Sequence, residues 1–248
     1  MGNELIDAHL FLSHSLSSPG RGGEDPDDPQ TVQAMQIALR VPKAEPPQRT
    51  DLLAAAAQAV VAVCLDPRAG EDGAWHDALG QWYGHRIRKI ARRARGAGWE
   101  NVQALPGCTA TVGTASARAF IPSAVADVPH LISKLQIRGT DLPFDEPEVL
   151  DASLPLIAVD ASLEMSAGKA AAQAGHGSML LAAAMTPESA AAWAADGFPL
   201  QVREVSHEKF AQLASDPAAV AVQDSGFTEV APGSVTVVAL PGKYALSV

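Results

Sequence analysis

Along this chain, short apolar runs alternate with longer alanine-rich stretches, the pattern of strands and helices in alternation. Residues 35–41 (MQIALRV) read as a strand, 49–65 as an alanine-rich helix, and 75–96 (WHDALGQWYGHRIRKIARRARG) as a second helix closed by Gly96. Strands are expected at 98–105, 117–123 and 135–139, with a short helix at 127–132. The second half gives a strand at 156–159, helices at 167–185 and 187–195, a strand at 200–205, a short helix at 208–214, and strands near Val220 and Val235. The two halves share an order: strand, alanine-rich helix, tryptophan-containing helix, strand, short helix, strand. The expectation is an α/β protein of two domains, the C-terminal one a mixed β-sheet flanked by helices and the N-terminal one a diverged copy of it.

The breaks in the pattern set the boundaries. Residues 13–30 are rich in Ser, Gly, Pro and Asp and carry the acidic run EDPDDP. Such a stretch buries too little apolar surface to offset its ordering entropy, so 1–34 reads as a disordered lead-in. Residues 35–138 form the N-terminal domain with its basic helix. Residues 139–153, with charged residues and prolines, read as a linker, and 154–248 as the C-terminal domain.

Within the second half, GKAAAQAGHGS places Lys169, Gln173 and His176 at i, i+4 and i+7 of a helix, which puts an ammonium, an amide and an imidazole on one face. Three polar groups in line point to a lined cleft; in isolation they also fit a solvated lysine, a surface amide and a core histidine. Ser166 is a candidate N-cap, and the first-turn N–H groups beyond it, with Gly168 and Lys169, would make an anion-attracting corner.

A second motif, VQDSGFTEVAPGSVTVVAL at 222–240, joins the first. Together they resemble the peptidyl-tRNA hydrolase of the archaeal and eukaryotic type. The matching residues are Met165, Gly168, Lys169, Ala171, Ala172, Gln173 and His176, then Asp224, Gly226, Thr228, Pro232, Gly233 and Thr236, with Ser234 replacing the family's first threonine. The resemblance covers about 154 to the C-terminus. It implies hydrolysis of the ester linking peptide to tRNA, with peptidyl-tRNA as the partner and tRNA freed for reuse. It also implies Lys169, Asp224 and Thr228 as catalytic groups.

From residue chemistry, His176 could orient or deprotonate the attacking water and Lys169 could stabilise developing negative charge. Asp224 could hold Lys169 or His176, and Gln173 could bind ribose or ester oxygens; the choice of base stays open. Departures cluster around the presumed RNA site: Asp160 and Ser162 stand where the family carries Arg or Asn and an Asp, Ala167 where a second lysine is common, Phe227 for Arg, and Glu229 for Gln. Each of the last three removes positive charge or adds negative charge. A catalytically silent relative, keeping the fold as a binding or assembly module, is the alternative they favour.

Charge sharpens this. The net charge is −10 at pH 7, which argues against generic nucleic-acid binding. Yet six of the 18 Lys and Arg residues fall between Arg86 and Arg95. On a helix, Arg88, Arg92 and Arg95 would share one face, a candidate RNA contact. No nucleophile elbow, P-loop, H-E-x-x-H or dinucleotide fingerprint occurs, the seven histidines are scattered, and neither a metal nor a cofactor is expected. Two cysteines without ligand spacing suit a reducing cytoplasm, no apolar run reaches membrane-helix length, and either a homodimer or an internal pseudo-dimer with one working site is expected.

Overall fold

The computed structural model describes residues 2–17, 23–25, 27–146, 150–224 and 229–247. The first half runs α1 (Gly2–Ser17), β1 (Gln33–Arg40), α2 (Arg49–Cys64), α3 (His76–Tyr83), β2 (Arg88–Ala94), α4 (Ala97–Val102), β3 (Gly107–Val112), β4 (Ala115–Phe120), β5 (Ser123–Ala124) and α5 (His130–Ser133). The second runs β6 (Leu156–Asp160), α6 (Ala167–Ala184), α7 (Pro187–Ala195), β7 (Gln201–Val205), α8 (His207–Ala214), β8 (Val220–Gln223) and β9 (Val235–Leu240).

Each half builds one mixed sheet, and the two sheets have the same plan. The first is ordered β2-β1-β4-β3, with β5 beside β1; the second is β7-β6-β9-β8. In both, the first strand pairs in parallel with the second and antiparallel with the fourth, and the third pairs antiparallel with the fourth. The α/β class and the shared order of elements are therefore present in space.

The halves meet through α2 and α6, the two alanine-rich helices, and each also packs on the other half's edge strand, α6 on β2 and α2 on β7. Small side chains allow this close crossing. A Cβ on Gly175 would lie 2.8 Å from Val60 Cγ2, and Ser178 Oγ donates to the Ala57 carbonyl at 2.8 Å. One apolar cluster runs through the contact, with Leu53, Ala57 and Val61 on one side and Ala171, Ala174 and Met179 on the other. Arg49, at the start of α2, is buried and forms a two-pronged ion pair with Glu204 of β7 at 2.7 and 2.8 Å, while also donating to the Leu142 and Met165 carbonyls.

Several local expectations are corrected. Residues 75–96 are not one helix: α3 ends at Tyr83 and Arg88–Ala94 form β2. Apolar positions at Ile87, Ile90, Ala91 and Ala94 imitate a helical repeat, but seven consecutive residues pair in parallel with β1, and that ladder decides the conformation. The shared helical face of Arg88, Arg92 and Arg95 therefore does not exist. Residues 98–105 contain α4, whose Trp99 and Val102 are buried three positions apart, and 135–139 contribute only a bridge between Gln136 and Arg93.

Residues 2–17, expected in a disordered lead-in, form α1. Its Ala8 and Leu12 are fully buried, and His9 Nε2 and Ser13 Oγ donate to the Ala182 and Ala183 carbonyls at the end of α6. The segment 139–146 is also seated on the fold. Thr140 and Leu142 are buried, and Asp145 accepts from the Thr50 amide and hydroxyl.

Candidate active site

The site is built from the start of α6 and the end of β8. Ser166 caps α6, its Oγ accepting from the Lys169 amide at 3.2 Å. Lys169, Gln173 and His176 then follow at helical spacing, as their sequence positions require. Opposite them, β8 carries a bulge at Val222 and Gln223, an irregularity that re-aims the next side chain. Asp224 leaves the strand there. Its amide donates to the Ser234 carbonyl, and its carbonyl accepts from Gly233, which sits at φ +80° where a glycine is favoured.

Asp224 Oδ2 receives two hydrogen bonds of 2.5 Å, one from Lys169 Nζ and one from Gln173 Nε2. The other end of the Gln173 amide is also engaged, Oε1 accepting from Thr236 Oγ1 at 2.8 Å. Gln173 is thus a buried strut that orients the carboxylate, with both ends committed. Lys169 and Asp224 are an ion pair with side-chain exposures of 12% and 8%, shielded enough for the attraction to count yet open to a substrate.

These groups line a pocket of about 470 Å³. Its walls include Ser166, Gly168, Lys169, Gln173, His176 and Asp224 from the second half and Arg86, Arg88, Lys89 and Ile90 from the first, with Leu16 of α1 at its margin. The two motifs, some fifty residues apart in sequence, therefore converge on one cleft. The cleft also lies between the halves.

Of the arginines, Arg88 lines the pocket and is ion-paired with Glu24. Arg92 is engaged elsewhere, donating to Gln36 Oε1 at 2.7 Å and the Leu135 carbonyl at 3.1 Å. Arg95 is exposed at the end of β2, outside the pocket lining. Thr228 lies outside the described residues.

Three features were not anticipated from the sequence. First, Glu229 accepts from both the amide and the hydroxyl of Ser166 at 2.8 Å, so a carboxylate of the chain itself occupies the anion-attracting corner of α6. Second, the Gly168 amide donates to Thr140 Oγ1 at 3.0 Å. A Cβ on Gly168 would meet that oxygen at 2.8 Å, so the glycine admits the segment that joins the halves. Third, Lys89 Nζ lies 3.0 Å from His176 Nδ1 and 4.8 Å from the Trp82 ring centroid. Burial pulls the Lys89 ammonium down to about 7. Its position in an arginine-rich run concealed it.

In the first half, Leu53, Ala57 and Val60 stand on α2 where Lys169, Gln173 and His176 stand on α6, when Leu52 is set against Gly168. All three are buried members of the core, so the duplicate position is apolar. Among the described residues, no group of three or more His, Cys, Asp or Glu could hold a metal ion.

The geometry on α6 and β8 agrees with the comparison to known families. The model of the family Peptidyl-tRNA hydrolase PTH2 matches residues 155–245, so the C-terminal segment is a domain of that family, a little over a third of the chain. No curated protein matches the chain. The matched segment holds Lys169, Gln173, His176 and Asp224; Arg88 and Lys89 come from outside it. No helix among the described residues is long and apolar enough to cross a membrane.

Proposed function

We propose that the pocket hydrolyses the ester between peptide and tRNA in peptidyl-tRNA, in a cytoplasmic setting that the two unpaired cysteines suit. The observation that carries this reading is Asp224, gripped by Lys169 and Gln173 inside a cleft of the PTH2 domain. In this reaction a water oxygen attacks the ester carbonyl carbon while the carbonyl π pair moves to oxygen. Asp224 takes the water proton and returns it to the leaving ribose oxygen as the carbon–oxygen ester bond breaks. The Lys169 ammonium sits where it offsets the oxyanion charge, an effect worth roughly 3–4 kcal/mol per well-placed donor. Gln173 keeps Asp224 aimed, and Thr228 joins the set on the strength of the family resemblance. Arg88, with Arg86 beside it, offers phosphate contacts at the mouth.

Two carboxylates favour a second reading, a silent relative serving as a binding or assembly module. Glu229 fills the corner at the start of α6, and Glu24 covers Arg88; both stand where a nucleic-acid phosphate would be drawn. Release of labelled acyl-amino acid from tRNA by the purified full chain separates the two. Release well above the spontaneous rate supports the hydrolase. Tight binding of tRNA or of another partner with only spontaneous release supports the module.

A further inference from the structure

We propose that Lys89, from the half outside the PTH2 domain, is a positioning residue of the site: it fixes His176 as the tautomer protonated at Nε2, making the imidazole a hydrogen-bond donor instead of a base. The geometry is direct. Lys89 Nζ is 3.0 Å from His176 Nδ1, and an ammonium has three donors and no acceptor. Nδ1 must then be the acceptor, and the ring proton of the neutral imidazole resides on Nε2.

Lys89 packs along the same motif. A Cβ on Gly175 would lie 3.4 Å from Lys89 Cδ, ordinary contact distance, so the lysine stem crosses α6 beside that glycine, one residue before His176. Trp82 of α3 faces the ammonium, and Met179 Sδ of α6 lies 3.6 Å from it.

The charged and titratable surroundings agree. Burial holds the Lys89 proton affinity near neutrality. Cys64 of α2, with its thiol pushed up to about 11 by burial, and Tyr83 of α3, raised further for the same reason, are both uncharged there. On the strand side, Arg88 is paired with Glu24, and Arg86 lines the same pocket; across it, Lys169 is paired with Asp224. Among the described residues, the side chains in polar contact with Lys89 Nζ include His176 and Met179, and of these two only the imidazole can change its proton positions. Below about pH 7 the ammonium enforces the Nε2–H form. Above it the neutral amine can accept as well as donate, and the tautomer is released.

The donor role of Nε2 toward the ester oxyanion rests on the hydrolase reading; the tautomer does not. The test is imidazole ¹⁵N NMR on the labelled full chain without substrate, with His176→Gln to assign the signal. At about pH 6.5, Nδ1 should be unprotonated and Nε2 protonated. In Lys89→Met the tautomer preference should be lost. In Lys89→Arg, whose guanidinium also only donates, the Nε2–H form should return. An Nδ1-protonated ring in the wild type, or a ring unchanged in Lys89→Met, overturns the proposal, and the wild-type spectrum suffices if a variant misfolds. Should the hydrolase reading hold as well, Lys89→Met lowers kcat roughly ten- to a hundredfold with KM changed only a few-fold. A chain that releases no ester yet shows the Nε2–H form refutes the hydrolase reading and leaves the positioning role standing.

Discussion

At Asp224 a single carboxylate oxygen takes both a charged and a neutral donor at 2.5 Å, so removing its charge weakens two contacts at once. Asp224→Asn removes the negative charge facing Lys169 and the carboxylate that would take the proton, and hydrolysis should fall about 10²- to 10⁴-fold, measured as kcat under saturating substrate. Lys89 makes a different residue-level statement, about stability. Its proton affinity is near 7 in the fold and 10.5 in the unfolded chain, so between those values the native state binds fewer protons. Stability attributable to this group therefore rises as pH climbs from 7 toward 10.5, and is lost as pH falls. Denaturant unfolding of wild type against Lys89→Met should show wild type gaining about 1–3 kcal/mol on the variant between pH 7 and 9.5; a pH-independent difference would contradict the buried ammonium.

The lysine, glutamine and histidine of the site were legible from one helical repeat, and Asp224 from the second motif. The partners of His176 and Ser166 were not. Lys89 reaches His176 across 87 positions of sequence and Glu229 reaches Ser166 across 63, and no local pattern encodes such contacts.

At the scale of elements, α6 shows how much the glycines of its motif serve packing. An alanine at Gly175 would improve helix propensity by about 1 kcal/mol yet place its Cβ 2.8 Å from the stiff Val60 side chain. Gly175→Ala should therefore cost a net 1–2 kcal/mol or so, and combining it with Val60→Ala should cost less than the two changes added. Additive values from chemical denaturation would show that α2 and α6 are not in contact there. Most elements of the second half were readable because long alanine-rich helices and short apolar strands keep their own periods. Strand β2 was misread because its apolar spacing suits a helix, and only its ladder with β1, 54 residues away in sequence, makes it a strand. Helix α1 was partly hidden by the polar serines and acidic run that follow it; its order comes from docking Ala8 and Leu12 on the rest of the fold.

For the whole molecule, the two sheets share one strand order and the crossing of α2 with α6 joins the halves, with the Lys169–Asp224 cleft between them. Arg49 and Glu204 tie the halves together, both about 3–4% exposed. Arg49→Met leaves Glu204 buried without its partner and should cost about 3–5 kcal/mol, while Arg49→Met with Glu204→Leu should recover much of that. Equal melting points for the single variant and wild type would contradict the clamp. The acidic net charge and the basic β2 meet in the Glu24–Arg88 pair. Glu24→Gln frees Arg88 for phosphate, so tRNA affinity should rise and its slope against log salt should steepen by about 0.9 if duplex is contacted. An unchanged slope would place the tRNA elsewhere.

If Lys169, Gln173 and Asp224 form a working hydrolytic centre, single-turnover release of acyl-amino acid from tRNA, with tRNA binding measured in parallel, will show it. Rapid release is expected from the wild type and, in Asp224→Asn, a rate lower by at least about a hundredfold at nearly unchanged tRNA affinity. Equal release by the two proteins, or none above the spontaneous rate from a wild type that binds tRNA, would contradict it.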